Sequence, residues 1–180
     1  MQRHRHNAAR TLGLAFLLSA ACRPMTGDGR RATAPLRDAG GQALGTLTLR
    51  DEPGRPLVIE GELSGLPAGT HGIHFHAVGQ CDAAGAFASA GAHFNPATRK
   101  HGLESAEGPH AGDLPNLVVG ADGRANLRTT SSRVTLGGEP ASLLDADGTA
   151  VVVHAAPDDQ RTDPSGNSGA RIACGVIASP

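Results

Sequence analysis

Between His71 and Asp113 the chain carries imidazoles at spacings that suit metal ligation: His71-Gly72-Ile73-His74-Phe75-His76, then His93, His101 and His110, with Asp113 following and His154 far downstream in Val151-Val152-Val153-His154. Successive side chains of a β-strand point to opposite faces, so His74 and His76 project together, while Ile73 and Phe75 turn to the other face and a core. With His154 at the end of another strand, three or four imidazoles and no thiolate suit copper, among other ions. The set His93, His101, His110 and Asp113 offers three nitrogens and one carboxylate, which fits tetrahedral zinc. A single histidine on a strand is ordinarily a packed or hydrogen-bonded residue. Here the chain has 9 histidines, of which His4 and His6 lie in the N-terminal segment. The rest, His71 apart, all fall at these ligand positions, and that separates the cluster from chance.

Side chains so placed need rigid elements under them. Residues 32–36 form a short extended run. In 42–50, Leu44, Leu47 and Leu49 alternate with Thr46 and Thr48, broken once at Gly45, and Asp51-Glu52-Pro53-Gly54 makes a turn. Leu57, Ile59 and Leu63 then alternate with Glu60 and Glu62. After the turn at 64–69, residues 70–78 carry the first histidines. Residues 116–119, 125–130, 149–154 and 171–178 read as further strands, with 134–136 and 143–144 as weak candidates. Short strands at regular spacing with turn punctuation predict an all-β sandwich or barrel without helices of ordinary length in the mature part. Two stretches break the pattern. Residues 79–114 are long, rich in Gly and Ala, and without period, and 155–170 form a polar loop holding Asp158, Asp159, Arg161 and Asp163. Long loops inside compact domains are commonly functional.

A length of 180 residues predicts one domain. The formal net charge of -1 and the lack of a basic run exclude a nucleic-acid surface. Trp and Tyr are absent and Phe numbers only 4, so the core must be built from Ala, Val, Leu and Ile, and a disulfide or metals gain importance as constraints. Arg3, Arg5 and Arg10, the apolar run 12–18 and the small residues 19–22 have the three-part form of a bacterial export signal, too short to span a membrane. Residues 1–21 are therefore read as a signal peptide, 22–31 as a flexible tether, and 32–180 as the folded domain. Export implies a periplasmic location. Cys22 is a candidate for lipid modification and hence for anchoring to a membrane surface, although Ser19 stands where such signals usually carry Leu. If Cys22 is used in this way, Cys81 and Cys174 remain as the only other cysteines, in a compartment where disulfides persist.

The motifs His71-Gly72-Ile73-His74-Phe75-His76, Ala90-Gly91-Ala92-His93-Phe94-Asn95-Pro96, His101-Gly102, His110-Ala111-Gly112-Asp113-Leu114, Val152-Val153-His154 and the run from Gly166 to Ile177 together resemble the copper/zinc superoxide dismutases, bacterial exported type, over essentially the whole mature chain. The resemblance implies an eight-stranded antiparallel Greek-key β-barrel with two long functional loops. It implies copper at His74, His76, His93 and His154, and zinc at His93, His101, His110 and Asp113, with His93 the bridge between them. By the same resemblance His71 is structural, Asp158 links His74 to His101, Cys81 and Cys174 form a disulfide, and Arg171 docks the anion beside the copper. Lys100 and Arg161 are expected to be ordinary surface charges.

The implied reaction is disproportionation of superoxide to dioxygen and hydrogen peroxide, with His93 carrying a proton. The competing expectation is an exported copper-binding or copper-delivering module on the same barrel, but such relatives tend to lose copper ligands or the arginine, and this chain keeps both. The chain departs from the family pattern at Ala155, where many relatives have Glu, at Ser165, where Thr is common, and in the longer segment between Cys81 and His93. None of these removes a ligand. The choice between monomer and homodimer is open at this level.

Overall fold

The structure is a computed structural model that describes Met1 and residues 29–138 and 140–180. The signal segment, most of the tether, His4, His6 and Cys22 lie outside the described residues. Among the described residues nine strands follow in order: β1 (Arg30–Asp38), β2 (Ala43–Asp51), β3 (Leu57–Ser64), β4 (Gly69–His71), β5 (Ile73–His76), β6 (Leu117–Val119), β7 (Arg124–Ser131), β8 (Ala150–His154) and β9 (Arg171–Val176). Among the described residues the only helical element is a 3-10 turn at Ala88–Ala90. Thus β1 takes in Arg30 and Arg31, which the sequence reads as tether. The weak candidates at 134–136 and 143–144 reduce to one isolated bridge between Thr135 and Ser142.

Seven strands form one antiparallel sheet in the order β5-β8-β9-β1-β2-β3-β7, and β4 pairs with β6. β4 and β5 are one extended run interrupted only at Gly72, which recovers the eight strands expected. β1, β2 and β3 follow one another as neighbours, but the chain then crosses from β3 to β5 at the far edge, returns to β7 beside β3, and crosses again from β7 to β8. These crossings are the Greek-key element of the fold. The sheet curls, and its concave face holds the main core, including Leu36, Leu47, Leu49, Ile59, Leu63, Ile73, Phe75, Val151 and Val153.

The edge β5-β8-β9 is buried on both faces. All four residues of β5 and all five of β8 are buried. Ile73, Phe75, Val151 and Val153 face the main core, whereas Ala150, Val152 and Cys174 pack outward into a second cluster with Phe87 and Ala90. By the period of two, His74, His76 and His154 share that outer face. The two long loops cover it.

Loop 77–114 is ordered by more than its side chains. It zips onto the free edge of β5 through Ala77 N to Ala92 O (2.9 Å), Phe94 N to Phe75 O (2.8 Å) and Phe75 N to Gly112 O (2.9 Å), and Gly112 N in turn donates to Phe94 O (2.8 Å). A Cβ at Gly112 would lie 2.4 Å from Phe75 O, so only glycine lets these backbones meet. Cys81 and Cys174 are joined in a disulfide with Cα atoms 5.7 Å apart, which fastens the same loop to β9.

Candidate metal centre

Two groups of buried side chains converge between the loops and the outer face of β5 and β8. His74, His76, His93 and His154 form one, and His93, His101, His110 and Asp113 form the other; within each, the donor atoms lie within 4.8 Å of one another. His93 belongs to both. β5 supplies His74 and His76. His154 comes from the end of β8, where the register against β9 shifts between Val153 and His154 so that His154 lies opposite Arg171. Such a bulge re-aims a side chain. The other four residues come from loop 77–114, anchored through an isolated bridge of His93 to His76 and another of Asp113 to His74.

The hydrogen bonds decide which nitrogen of each ring is available. His74 Nε2 donates to Asp158 Oδ2 (2.6 Å) and His101 Nε2 to Asp158 Oδ1 (3.0 Å). His76 Nδ1 donates to Gly91 O (2.9 Å) and His154 Nδ1 to Gly169 O (3.1 Å). An acceptor on one ring nitrogen fixes the proton there and leaves the other as a lone pair. The nitrogens so left point inward. His74 Nδ1, His93 Nε2 and His101 Nδ1 are buried and without a hydrogen-bond partner, although His101 Nδ1 is 3.1 Å from Asp113 Oδ1. His76 Nε2 and His154 Nε2 face each other at 3.4 Å, and His93 Nδ1 and His110 Nδ1 at 3.5 Å.

Unpaired buried nitrogens aimed at a common point cost free energy unless something binds them. A cation in each group satisfies them all at once, so the residues present fit two metals. One donor set is all imidazole, as copper accepts, and the other is three imidazoles with a carboxylate, as zinc accepts.

The electrostatics divide in the same way. Burial, followed by the neighbouring His93 ring, pushes His76 down to about 2. Burial and the His74 ring push His154 down to about 3. Burial also lowers His93, to about 4, with the Asp113 hydrogen bond opposing. These three rings are neutral at pH 7, as ligands must be. For His101 burial also pulls downward, but the Asp113 and Asp158 carboxylates outweigh it and raise the ring to about 9. Asp113 is buried, which favours its neutral form. The His101, His110 and His93 rings and the Gly102 amide nevertheless hold it far below the usual carboxylate range.

His71 falls outside both groups. Its Nδ1 lies 2.8 Å from His154 O and its Nε2 2.9 Å from Pro67 O, so it ties the turn before β4 to the end of β8. Arg171 sits at the rim, half-buried. Nη1 donates to Phe87 O and Nη2 to Gly91 O, both at 2.6 Å, so Gly91 O receives the His76 ring and the guanidinium together. Lys100 pairs with Asp163 (3.2 Å) and Arg161 with Glu104 (2.5 Å), so neither is an uncompensated charge at the rim.

Three contributors escaped the sequence reading. Asn116 brackets Asp158 like a neighbouring strand: its Nδ2 donates to Asp158 O and its Oδ1 accepts from Asp158 N, each at 2.8 Å. Asp159 is exposed but shapes the loop by accepting from Arg161 N (2.9 Å), Thr162 N (2.8 Å) and Asn167 Nδ2 (2.9 Å). Gly166 has φ +62, and a Cβ there would lie 1.7 Å from Asp158 Oδ1, so it leaves room for the carboxylate that links the two ligand groups. Asn and Asp in a polar loop carry no distinguishing sequence signal for such roles.

A sequence model of the copper/zinc superoxide dismutase family matches residues 43–177. A Cu-Zn superoxide dismutase of Caulobacter vibrioides is 46% identical over 150 residues, covering 81% of this chain and 84% of that protein. The Cu-Zn superoxide dismutase 2 of Aquifex aeolicus is 42% identical over 149 residues, covering 82% and 86%. Among solved structures, a SOD-like protein from Bacillus subtilis superposes with a TM-score of 0.76 at 38% identity, over 80% of this chain and 96% of that one. The clock protein EA4 superposes at 0.72 with 31% identity, over 84% and 96%.

Proposed function

The chain belongs to the copper/zinc superoxide dismutase family, and on that premise we propose that His74, His76, His93 and His154 hold copper while His93, His101, His110 and Asp113 hold zinc. The protein is an enzyme that disproportionates superoxide: two superoxide anions and two protons give one dioxygen and one hydrogen peroxide. The single observation that carries the ligand assignment is the set of inward ring nitrogens of His74, His76, His101 and His154, each left free because its counterpart is hydrogen-bonded to the protein.

Copper, when bound, supplies the one-electron oxidation and reduction, and zinc, which has no redox chemistry, supplies a fixed positive charge. The protein does the rest. His93 Nδ1 lies 3.0 Å from Asp113 Oδ1, on the side of the group that would hold zinc. That leaves His93 Nε2 to carry the moving proton. His93 Nε2 is buried without a hydrogen-bond partner and belongs to the group that would hold copper, so a proton there can pass to a reduced oxygen species. Arg171, held by two carbonyls, offers its positive charge to a small anion at the rim, and charge of this kind raises on-rates by about 10–10³.

Asp158 keeps His74 and His101 in the tautomer that ligation needs. The Cys81–Cys174 disulfide agrees with an oxidising compartment, and so with export to the periplasm. Cys22 is the proposed point of lipid attachment; mass spectrometry of the membrane fraction tests it, and an unmodified mature N-terminus rejects it.

The deciding experiment is metal analysis of the purified mature protein alongside a dismutation assay. Equimolar copper and zinc with high activity are expected. Two metals with no dismutation would instead support a copper-binding or copper-delivering module.

A further inference from the structure

Each imidazole of a two-metal site has a second nitrogen to settle. For His74 and His101 it rests on Asp158, for His76 on Gly91 O, and for His154 on Gly169 O. His93 uses both nitrogens within the site. His110 is left. Its Nδ1 lies 3.4 Å from Asp113 Oδ1, among the donors of the zinc group, and its Nε2 lies 3.8 Å from Asp163 Oδ1. The same oxygen of Asp163 accepts the His101 amide N–H at 2.9 Å, and Oδ2 pairs with Lys100 Nζ at 3.2 Å. Asp163 therefore touches three residues of the zinc-bearing loop from the opposite loop, including the backbone of one zinc-group ligand and the ring of another.

We propose that Asp163 is the positioning residue of His110, accepting its Nε2–H and presenting Nδ1 to zinc, as Asp158 does for His74 and His101. The inference rests on the zinc assignment above. A separation of 3.8 Å is longer than a hydrogen bond, and an approach of about 1 Å closes it. The Asp163 side chain is 40% exposed and sits in a loop, so that approach disturbs no packed core. With both carboxylates engaged, loop 155–170 holds zinc-group residues from two sides, Asp158 from within and Asp163 from the surface. Outer partners of this kind are worth about 10–100-fold in metal affinity.

The test uses the full mature chain, stripped of metal and titrated with zinc against a competing chelator. Asp163→Ala is expected to weaken zinc by about tenfold or more, with copper affinity and the unfolding temperature of the metal-free protein unchanged. Asp163→Asn keeps an oxygen for the His101 amide but loses the charge facing His110, and is expected to weaken zinc nearly as much. Cobalt(II) loaded in place of zinc should show an altered visible spectrum in both variants, which a merely structural contact would not produce. Lys100→Gln should behave as wild type.

Wild-type zinc affinity and cobalt spectrum in Asp163→Ala would overturn the proposal. So would a weak Asp163→Ala beside a wild-type Asp163→Asn, since that places the whole effect on the amide of His101. A wild-type chain that takes up copper but no zinc would instead overturn the ligand assignment, and this inference with it.

Discussion

Replacing Asp158 with Asn tests the link between the two ligand groups. The buried carboxylate accepts three N–H groups: His74 Nε2 at 2.6 Å, His101 Nε2 at 3.0 Å and the Gln160 amide at 2.6 Å. Asparagine keeps the shape but turns one oxygen into an NH2, which only donates. One of the two rings then meets a donor. It must either leave its N–H unpaired or move the proton to Nδ1, and a protonated Nδ1 cannot ligate.

Which metal suffers more follows from where the rings stand. His74 is in β5, paired directly with Val152 of β8, so the sheet fixes its direction. His101 is on a loop and depends on Asp158 and Asp113 for its orientation. Zinc should weaken more than copper. A hydrogen bond to a charged group is worth about 1.5–3 kcal/mol, and about 1.4 kcal/mol is tenfold in affinity. Zinc affinity should therefore fall by about 10–100-fold, in line with outer-partner substitutions in general. Competitive chelator titration of the metal-free variant measures it, with copper titrated in parallel. Zinc affinity within twofold of wild type, or copper lost while zinc holds, would refute the reasoning.

Other perturbations separate the remaining parts. Arg171→Ala should lower the dismutation rate constant by about tenfold or more and flatten its dependence on ionic strength while copper stays bound; stopped-flow or pulse-radiolysis rates across a salt series measure this, and an unchanged slope rejects the docking role. Acid should release zinc before copper: His101, raised to about 9, is protonated in the metal-free protein at pH 7 and must lose that proton to bind zinc, whereas His76, His93 and His154, at about 2, 4 and 3, are already neutral. Apparent zinc affinity should thus fall about tenfold per pH unit below pH 9, with no matching proton competition from those three copper-side rings until near pH 4, as metal titrations between pH 5 and 8 would show. Thiol titration of the folded protein should find Cys81 and Cys174 unreactive, and replacing both with Ser should cost about 2–5 kcal/mol in denaturant unfolding.

The parts of the site that obey a period were legible from the sequence. His74 and His76 fall two apart in an apolar run, so one strand puts both on one face, and the structure places them there. The strand pattern itself carried the fold, because Leu and Val alternating with Thr and Glu can bury only one face. His154 is a different case. Its aim depends on a bulge between Val153 and His154, and a one-residue register shift leaves no mark in the alternation of either strand. The loop ligands have no period at all. The chain brings His93 and Asp113 to His76 and His74 by pairing loop backbone with the free edge of β5, and backbone hydrogen bonds are the same for every sequence. Only the resemblance of whole motifs could join those residues in advance. Asn116 and Asp163 were missed for a related reason: each acts by reaching across to another loop, and a polar side chain at a strand's start or in a polar loop looks solvated until that loop is in place.

The placement of the centre on the outer face explains how a chain with so few aromatics can carry it. Ile73, Phe75, Val151 and Val153 point into the main core, and His74, His76 and His154 leave the same strands in the opposite direction. The seven side chains of the two groups therefore displace no apolar volume from the barrel interior, which stays closed mainly by aliphatic residues. The cost is that the outer face needs a lid with its own order. The disulfide, the Phe87 and Ala90 cluster and the pairing to β5 supply one loop of it, and Asp158 with Asn116 supplies the other. Core packing and metal ligation meet in the backbones of β5 and β8, and in the loop where Phe94, Ala111 and Leu114 enter the main core beside His93, His110 and Asp113. A truncation such as Val151→Ala removes core contacts without touching a ligand atom, whereas a change at Gly91 or Gly169, whose carbonyls orient His76 and His154, acts on the metal with little change in buried apolar area.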